Sequence, residues 1–245
     1  MQIRRISFTA SELNAIPTHE RALLVILGHA LNEINTLNKL LAISTHFEHE
    51  PKCVAHAQST QAFVLARVLT GKLHEAWVTV SKGYLKSKMC QTYDPDLEPA
   101  ASASLATLKS YFGKKSLVNS VRNDFSFHYS LKKAATLIPG NIPDDEMSLY
   151  LNEAVGNSLY LFAEVVMNVA LMDGISPANP EAALNRLMSE MSDTVAHLNT
   201  FGRGLLVALL ERHIGHNKLR ASIQVLETGA TPLYRDLVIP FFIEL

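Results

Sequence analysis

Three long stretches of this chain repeat apolar residues at steps of three and four, and that spacing restricts the possible folds more than any other feature. The first series is Leu23, Leu27, Ala30, Ile34, Leu37 and Leu41; the second is Ala62, Leu65, Leu69, Leu73, Ala76, Val80 and Tyr84. Leu184, Leu187, Met191, Val195, Leu198, Leu205 and Leu209 make the third. An α-helix turns once per 3.6 residues, so each series is an apolar stripe along a helix, and each stripe must be covered. Asn32, Asn35, Asn38 and Lys39 fall off the first stripe, as a water-facing side requires. The first helix is predicted to start at Thr18 and the second to run from about Lys52 to Leu85, the two packing antiparallel. Asn179 followed by Pro180 joins a capping side chain to a proline at the first helical position, and opens the third.

Between these helices the turn chemistry of Tyr93-Asp94-Pro95-Asp96 and Glu98-Pro99 predicts a loop over 86 to 99, then a helix from Pro99 to Phe112 stopped by Gly113. Ser116 to Lys133 reads as a further helix closed by Pro139-Gly140-Asn141-Ile142-Pro143, and Ser148 to Leu151 as a short extended piece. Glu153 to Met172 is apolar on most sides, which predicts a helix central in the core. From Leu219 onward Ile223, Val225, Leu237, Val238, Ile239, Phe241, Phe242 and Ile243 favour extended backbone, and Pro240 excludes a regular helix. The expectation is an all-α fold: one helical domain over residues 1–218 and a C-terminal extended arm over 219–245. That arm covers its apolar side chains on its own domain or on a partner subunit.

With 22 Lys and Arg against 23 Asp and Glu, the chain has no global field to attract a polyanion. Nucleic-acid contact must therefore be local, and one region is suited to it. Between residues 109 and 133 stand Lys109, Lys114, Lys115, Arg122, Lys132 and Lys133 against Asp124 alone, a local excess of +5. Two cysteines, Cys53 and Cys90, are too few for a disulfide framework, and Met1-Gln2-Ile3-Arg4-Arg5 is not followed by the apolar run of a signal peptide, so the cytoplasm is the expected location. The most apolar stretch, Leu159 to Met172, carries Glu164, and no membrane span is expected.

Inside the basic region the run Val121-Arg122-Asn123-Asp124-Phe125-Ser126-Phe127-His128-Tyr129 sets an arginine, a polar residue and a histidine within seven positions. An arginine clamps a phosphate with two parallel charge-assisted hydrogen bonds, and a histidine exchanges protons near neutral pH. A helix-capping arginine beside a half-buried structural histidine would present the same residues. In a straight helix, positions six apart differ by about 600°, or 120° after whole turns, so Arg122 and His128 do not share a face. Convergence requires that the helix bend between them or that a second subunit complete the site.

Arg122, Asn123 and His128, with five residues between the arginine and the histidine, resemble the signature of the HEPN superfamily over roughly Thr18 to Met172. The resemblance implies a helical bundle of long antiparallel helices, a homodimer whose twofold groove collects both copies of the motif, and a metal-independent ribonuclease. In that reading Arg122 and His128 are catalytic and Asn123 orients Arg122 or a phosphate oxygen. Ser126 and Tyr129 are possible auxiliaries, and Lys109, Lys114, Lys115, Lys132 and Lys133 are RNA-binding. No cofactor or metal is implied. A toxin or phage-defence role with a nucleotidyltransferase-like antitoxin is the context the resemblance suggests. The alternative is a non-catalytic HEPN-like module that binds RNA, nucleotide or protein.

Three other patterns compete. His46, His49, Cys53 and His56 fall at helical offsets of 3, 7 and 10 and are ligand types that suit zinc, but Pro51 interrupts their span and no established zinc spacing is matched. His213-Ile214-Gly215-His216 spells a signature of class I aminoacyl-tRNA synthetases, yet it ends a long helix instead of opening a nucleotide-binding α/β unit. Gly202-Arg203-Gly204 lacks the preceding strand and the further glycines of a phosphate loop.

Overall fold

The computed structural model describes residues 1–45, 51–123, 142–177 and 179–244. The fold is all-α, with one short two-stranded ribbon. Strand β1 (Gln2–Arg5) is followed by helices α1 (Ala10–Ala15), α2 (Thr18–Ser44), α3 (Lys52–Val80), α4 (Met89–Tyr93), α5 (Pro99–Phe112) and α6 (Leu117–Val121). Then come α7 (Leu161–Ile175), α8 (Pro180–Ile214), α9 (His216–Ala221) and strand β2 (Gln224–Glu227). Among the described residues no single helix is long and apolar enough to cross a membrane.

The chain divides into two compact units, each assembled from discontinuous segments. The first comprises Met1–Asn35, Lys72–Lys114 and Asp193–Leu233; the second comprises Thr36–Gly71, Lys115–Ser192 and Tyr234–Leu245. Helices α2, α3 and α8 each supply a part to both.

In the first unit the apolar stripes lie inside as their spacing requires: Leu23, Leu27, Ile34, Leu73, Ala76, Val80, Leu198 and Leu205 are all buried. Helices α2 and α3 run antiparallel, because Lys72 pairs with Glu33 at 2.6 Å while Gly83, beyond the end of α3, lies against Leu23. The end of α3 widens into a π-helical turn over Ser81–Leu85, which buries Tyr84 edge-on to Phe201 with ring centroids 5.5 Å apart. Gly202 and Gly204 are packing residues. A methyl at Gly202 would fall 2.6 Å from Leu31 Cδ1, and one at Gly204 would fall 2.5 Å from Ala101 Cβ, so these glycines let α2 and α5 approach α8 closely.

Strands β1 and β2 pair antiparallel with Gln2 opposite Glu227 and Arg5 opposite Gln224. The expected arm thus begins as a helix through Ala221, then pairs with the opposite end of the same chain. Helix α1 starts in a full capping box: Thr9 Oγ1 accepts from Glu12 N, and the Thr9 backbone donates to the Glu12 carboxylate.

The second unit buries Leu41, Ala62, Leu69, Leu117, Val118, Val121, Leu171, Met172, Leu187 and Met191. Asn179 caps α8 as its position predicts, its Oδ1 accepting from Ala182 N at 2.9 Å. The end of the chain returns to this unit. Phe241 and Phe242 pack against Ala57, Leu159 and Leu161, and the Asn157 side chain bonds both backbone groups of Ile243.

Two expectations require correction. A helix was expected from Glu153, but α7 begins at Leu161: the preceding residues form a turn closed by the Tyr150–Leu159 bridge and by Asn157. That helix is also half-exposed, with only Leu161, Leu171 and Met172 buried, instead of central. The loop expected over 86 to 99 contains α4, a single helical turn that carries two buried side chains, Met89 and Tyr93. Of the helix expected over Ser116 to Lys133, α6 is its first part, and residues 124–141 lie outside the described residues.

Candidate functional site

Helix α6 is short and firmly seated. Ser116 caps it, its Oγ accepting from Asn119 N at 3.3 Å, and Leu117, Val118 and Val121 are buried beneath it. Arg122 follows at its C-terminal end with the backbone still helical (φ −57°, ψ −45°) and the side chain half-buried. Its Nη1 donates to Asn123 Oδ1 at 3.1 Å. That bond holds one of the five coplanar donors of the guanidinium. His128, Ser126, Tyr129, Lys132 and Lys133 lie outside the described residues, as do His46 and His49.

Next to Arg122 in sequence, Ser120 and Val121 line a pocket of about 240 Å³ with Lys115, Leu117, Leu171, Gly174, Ile175 and Arg186. Val121 and Leu171 beneath it are each 1% exposed and Leu117 is buried, so the surface it offers is mostly polar. Its mouth is cationic, since Lys115 and Arg186 are exposed. Arg186 Nε donates to Glu190 Oε1 at 2.8 Å, one helical turn along α8, which steadies the guanidinium. Sequence reasoning selected Lys115 and passed over Arg186, which stands on the polar side of a long helix with no local signal to mark it. Of the other lysines expected to hold RNA, Lys109 and Lys114 belong to the first unit and both are exposed.

A second pocket of the same unit, about 220 Å³, is lined by Ser59, Phe63, Glu146, Val165, Asn168, Val169, Met172, Asp173 and Pro180. Its charges are carboxylates, which suit no phosphate.

Neither remaining motif builds a reactive centre among the described residues. Cys53 is a half-buried free thiol, and His56 Nδ1 lies 3.1 Å from Tyr150 Oη, partnered by a phenol. No group of three or more His, Cys, Asp or Glu is arranged to hold a metal among the described residues. His213 of the His-Ile-Gly-His run instead ties the first unit together. Its Nε2 donates to Glu20 Oε2 at 2.6 Å and lies 3.2 Å from the Tyr93 hydroxyl, which also donates to Glu20. Burial raises the Glu20 carboxyl, but hydrogen bonds from Tyr93 and His213 outweigh that, and it settles below the usual range. Burial and then the Glu20 bond push the Tyr93 phenol well above its usual value. Arg212 stacks 5.4 Å over the Tyr93 ring and bonds Asp96 at 3.2 Å, so the start of α2, the turn of α4 and the end of α8 share one polar clasp.

Comparison with protein-family models, with curated proteins and with solved structures returns no match, so the functional reading stands on the residues of this chain.

Proposed function

We propose that the chain is a metal-independent RNA endonuclease of the HEPN type, acting as a homodimer in a toxin or phage-defence role. The observation that carries the reading is the Arg122 guanidinium held by Asn123 at the end of a buried helix, directly after the residues of a cation-mouthed pocket. In this mechanism His128 removes the proton from an RNA 2′-hydroxyl, and the freed oxygen attacks the adjacent phosphorus. Arg122 stabilises the charge that builds on the phosphoryl oxygens, aimed by Asn123 so that it need not reorganise as the charge develops. The bond from phosphorus to the 5′ oxygen then breaks and that oxygen takes up a proton, leaving a 2′,3′-cyclic phosphate and a 5′-hydroxyl. A twofold partner supplies the second copy of each residue, which removes the 120° mismatch between positions 122 and 128. Such an enzyme needs an antidote, and a nucleotidyltransferase-like antitoxin is the partner this reading implies.

The near-neutral net charge of −1 favours a second reading, in which the same surface binds RNA, nucleotide or protein without cleaving it. One experiment separates the two. Wild type, Arg122→Ala and His128→Ala are expressed in a bacterial host, and RNA integrity and end groups are followed with time. The nuclease reading expects cyclic-phosphate ends with wild type and a loss of about a hundredfold or more in either variant. Identical RNA profiles from all three chains would reject it.

A further inference from the structure

The β1–β2 ribbon of the first unit has one edge guarded by cations and one that is not. Both strands are exposed at every position, and a ribbon of two strands is marginal in water unless further strands or a packed face support it. Thr228 N donates to Met1 O at 3.1 Å, and Ile3 stands opposite Leu226. In an antiparallel pair that alternation turns the backbone groups of Leu226 and Gln224 inward to β1 and those of Val225 and Glu227 outward. Among the described residues no backbone bond occupies those outward groups. We propose that the β2 edge pairs antiparallel with the β2 edge of a second copy of this chain, making a four-stranded sheet across a twofold axis.

Charge selects the edge. Strand β1 carries Arg4 and Arg5 and no acid, so two β1 edges brought together would gather four guanidiniums, and charged side chains guard exposed edges in this way. A β2 edge set on β1 of the next copy would leave a free edge at each end and keep adding chains. Pairing β2 with β2 closes after two copies, with the arginine-bearing strands outermost. Hydrogen bonding and charge then select the register. Outward residues must face outward residues, so Val225 can stand opposite its own counterpart or opposite Glu227, or Glu227 can stand opposite its own counterpart. The last arrangement opposes two carboxylates, and the first sets Leu226 against Gln224. The second sets Leu226 against the second copy's Leu226 at the close spacing of a pair without hydrogen bonds. Ile3 flanks Leu226 on that face, and the two are 44% and 39% exposed, so a row of four apolar side chains would cross the sheet. Both strands lie outside residues 18–172, the span of the HEPN resemblance. This surface is therefore not the groove that resemblance implies, and the inference does not rest on the nuclease reading.

Position 225 separates association from folding. Within one chain Val225 stands opposite Arg4, and across the twofold axis it would stand opposite Glu227. Val225→Glu therefore gains an ion pair inside its own ribbon while setting two like-charged pairs between the copies. Self-association of the full chain is followed by sedimentation equilibrium over a range of concentrations. Wild type should associate, Val225→Glu should weaken that association about tenfold, and Val225→Glu/Glu227→Lys should restore it, because each new carboxylate then meets a new ammonium. Under mild oxidation Leu226→Cys should yield a disulfide-linked dimer, its two thiols opposed at the axis, and Val225→Cys should not. The wild type, with half-buried Cys53 and Cys90, gives the background for that comparison. Should Val225→Glu alter the circular dichroism, the two cysteine variants carry the test. A wild type that stays monomeric, an association indifferent to Val225→Glu, or equal cross-linking by both cysteine variants would overturn the proposal. An association that survives Val225→Glu belongs to another surface, such as the groove of the HEPN reading, and leaves the nuclease reading standing.

Discussion

Glu164 sits in the most apolar stretch of the chain, and the second unit holds it with Arg67 of α3, whose Nη2 donates to Glu164 Oε2 at 2.7 Å. Arg67 Nη1 also donates to Asn168 Oδ1 at 3.2 Å, one turn along the same face of α7, so a single guanidinium clamps that helix twice. The side chains are 12% and 26% exposed. Removing one partner of such a pair leaves an uncompensated charge in a poorly hydrated place, at a cost of about 3–5 kcal/mol for full burial. Because Glu164 keeps a quarter of its exposure, Arg67→Met is expected near the lower end, about 3 kcal/mol. The double variant Arg67→Met/Glu164→Leu removes both charges and keeps the volume apolar, so it should recover to within about 1 kcal/mol of wild type. The assay is urea unfolding of wild type, Arg67→Met, Glu164→Leu and the double variant, followed by circular dichroism at 222 nm. Trp77, the one tryptophan, lies in the first unit stacked 4.9 Å from Phe112, and its fluorescence reports that unit separately. A cost below about 1 kcal/mol for Arg67→Met, or a double variant that loses the sum of its single losses, would show that the clamp does not hold α7 through charge pairing.

Two further outcomes follow from the first unit. Gly204→Ala gains about 1 kcal/mol of helix propensity, but its methyl meets Ala101 Cβ at 2.5 Å; overpacking of about 1–3 kcal/mol should win, and the melting temperature should fall instead of rising. Glu20→Gln should cost about 1 kcal/mol at neutral pH through weakened bonds to Tyr93 and His213. Since the folded state lowers the Glu20 pKa, the carboxylate stabilises fully above its unfolded value of 4.5 and loses that contribution as pH falls through the folded value. Thermal melts of wild type and Glu20→Gln should therefore differ most at neutral pH and converge as the pH falls below 4.5, and a gap that stays constant on acidification would refute the role given to Glu20.

The residues that the sequence reads correctly are those whose placement depends on near neighbours. The apolar stripes of α2, α3 and α8 recur every three or four positions, the Asn179 cap reaches Ala182, and Gly113 ends α5, all within a helical turn or two. Arg122 and Asn123, chosen for their spacing to His128, are neighbours in the chain and hydrogen-bonded to each other. Elements that depend on distant residues were illegible. Helix α4 stands where turn residues predict a loop because Tyr93 is drawn to Glu20 and His213, 73 and 120 positions away. Helix α7 starts late because Asn157 is committed to Ile243.

The sequence by itself determined that this is a helical protein, because the helical hydrogen bond joins residues four apart and the apolar period follows from it. Only the tertiary structure decided that β1 would find β2 more than 200 residues away, that Gly202 and Gly204 serve close packing, and that Arg186 would stand with Lys115 over a pocket. Which side chains share a cavity is set by how helices from separate parts of the chain cover one another's apolar faces, and no local spacing records it.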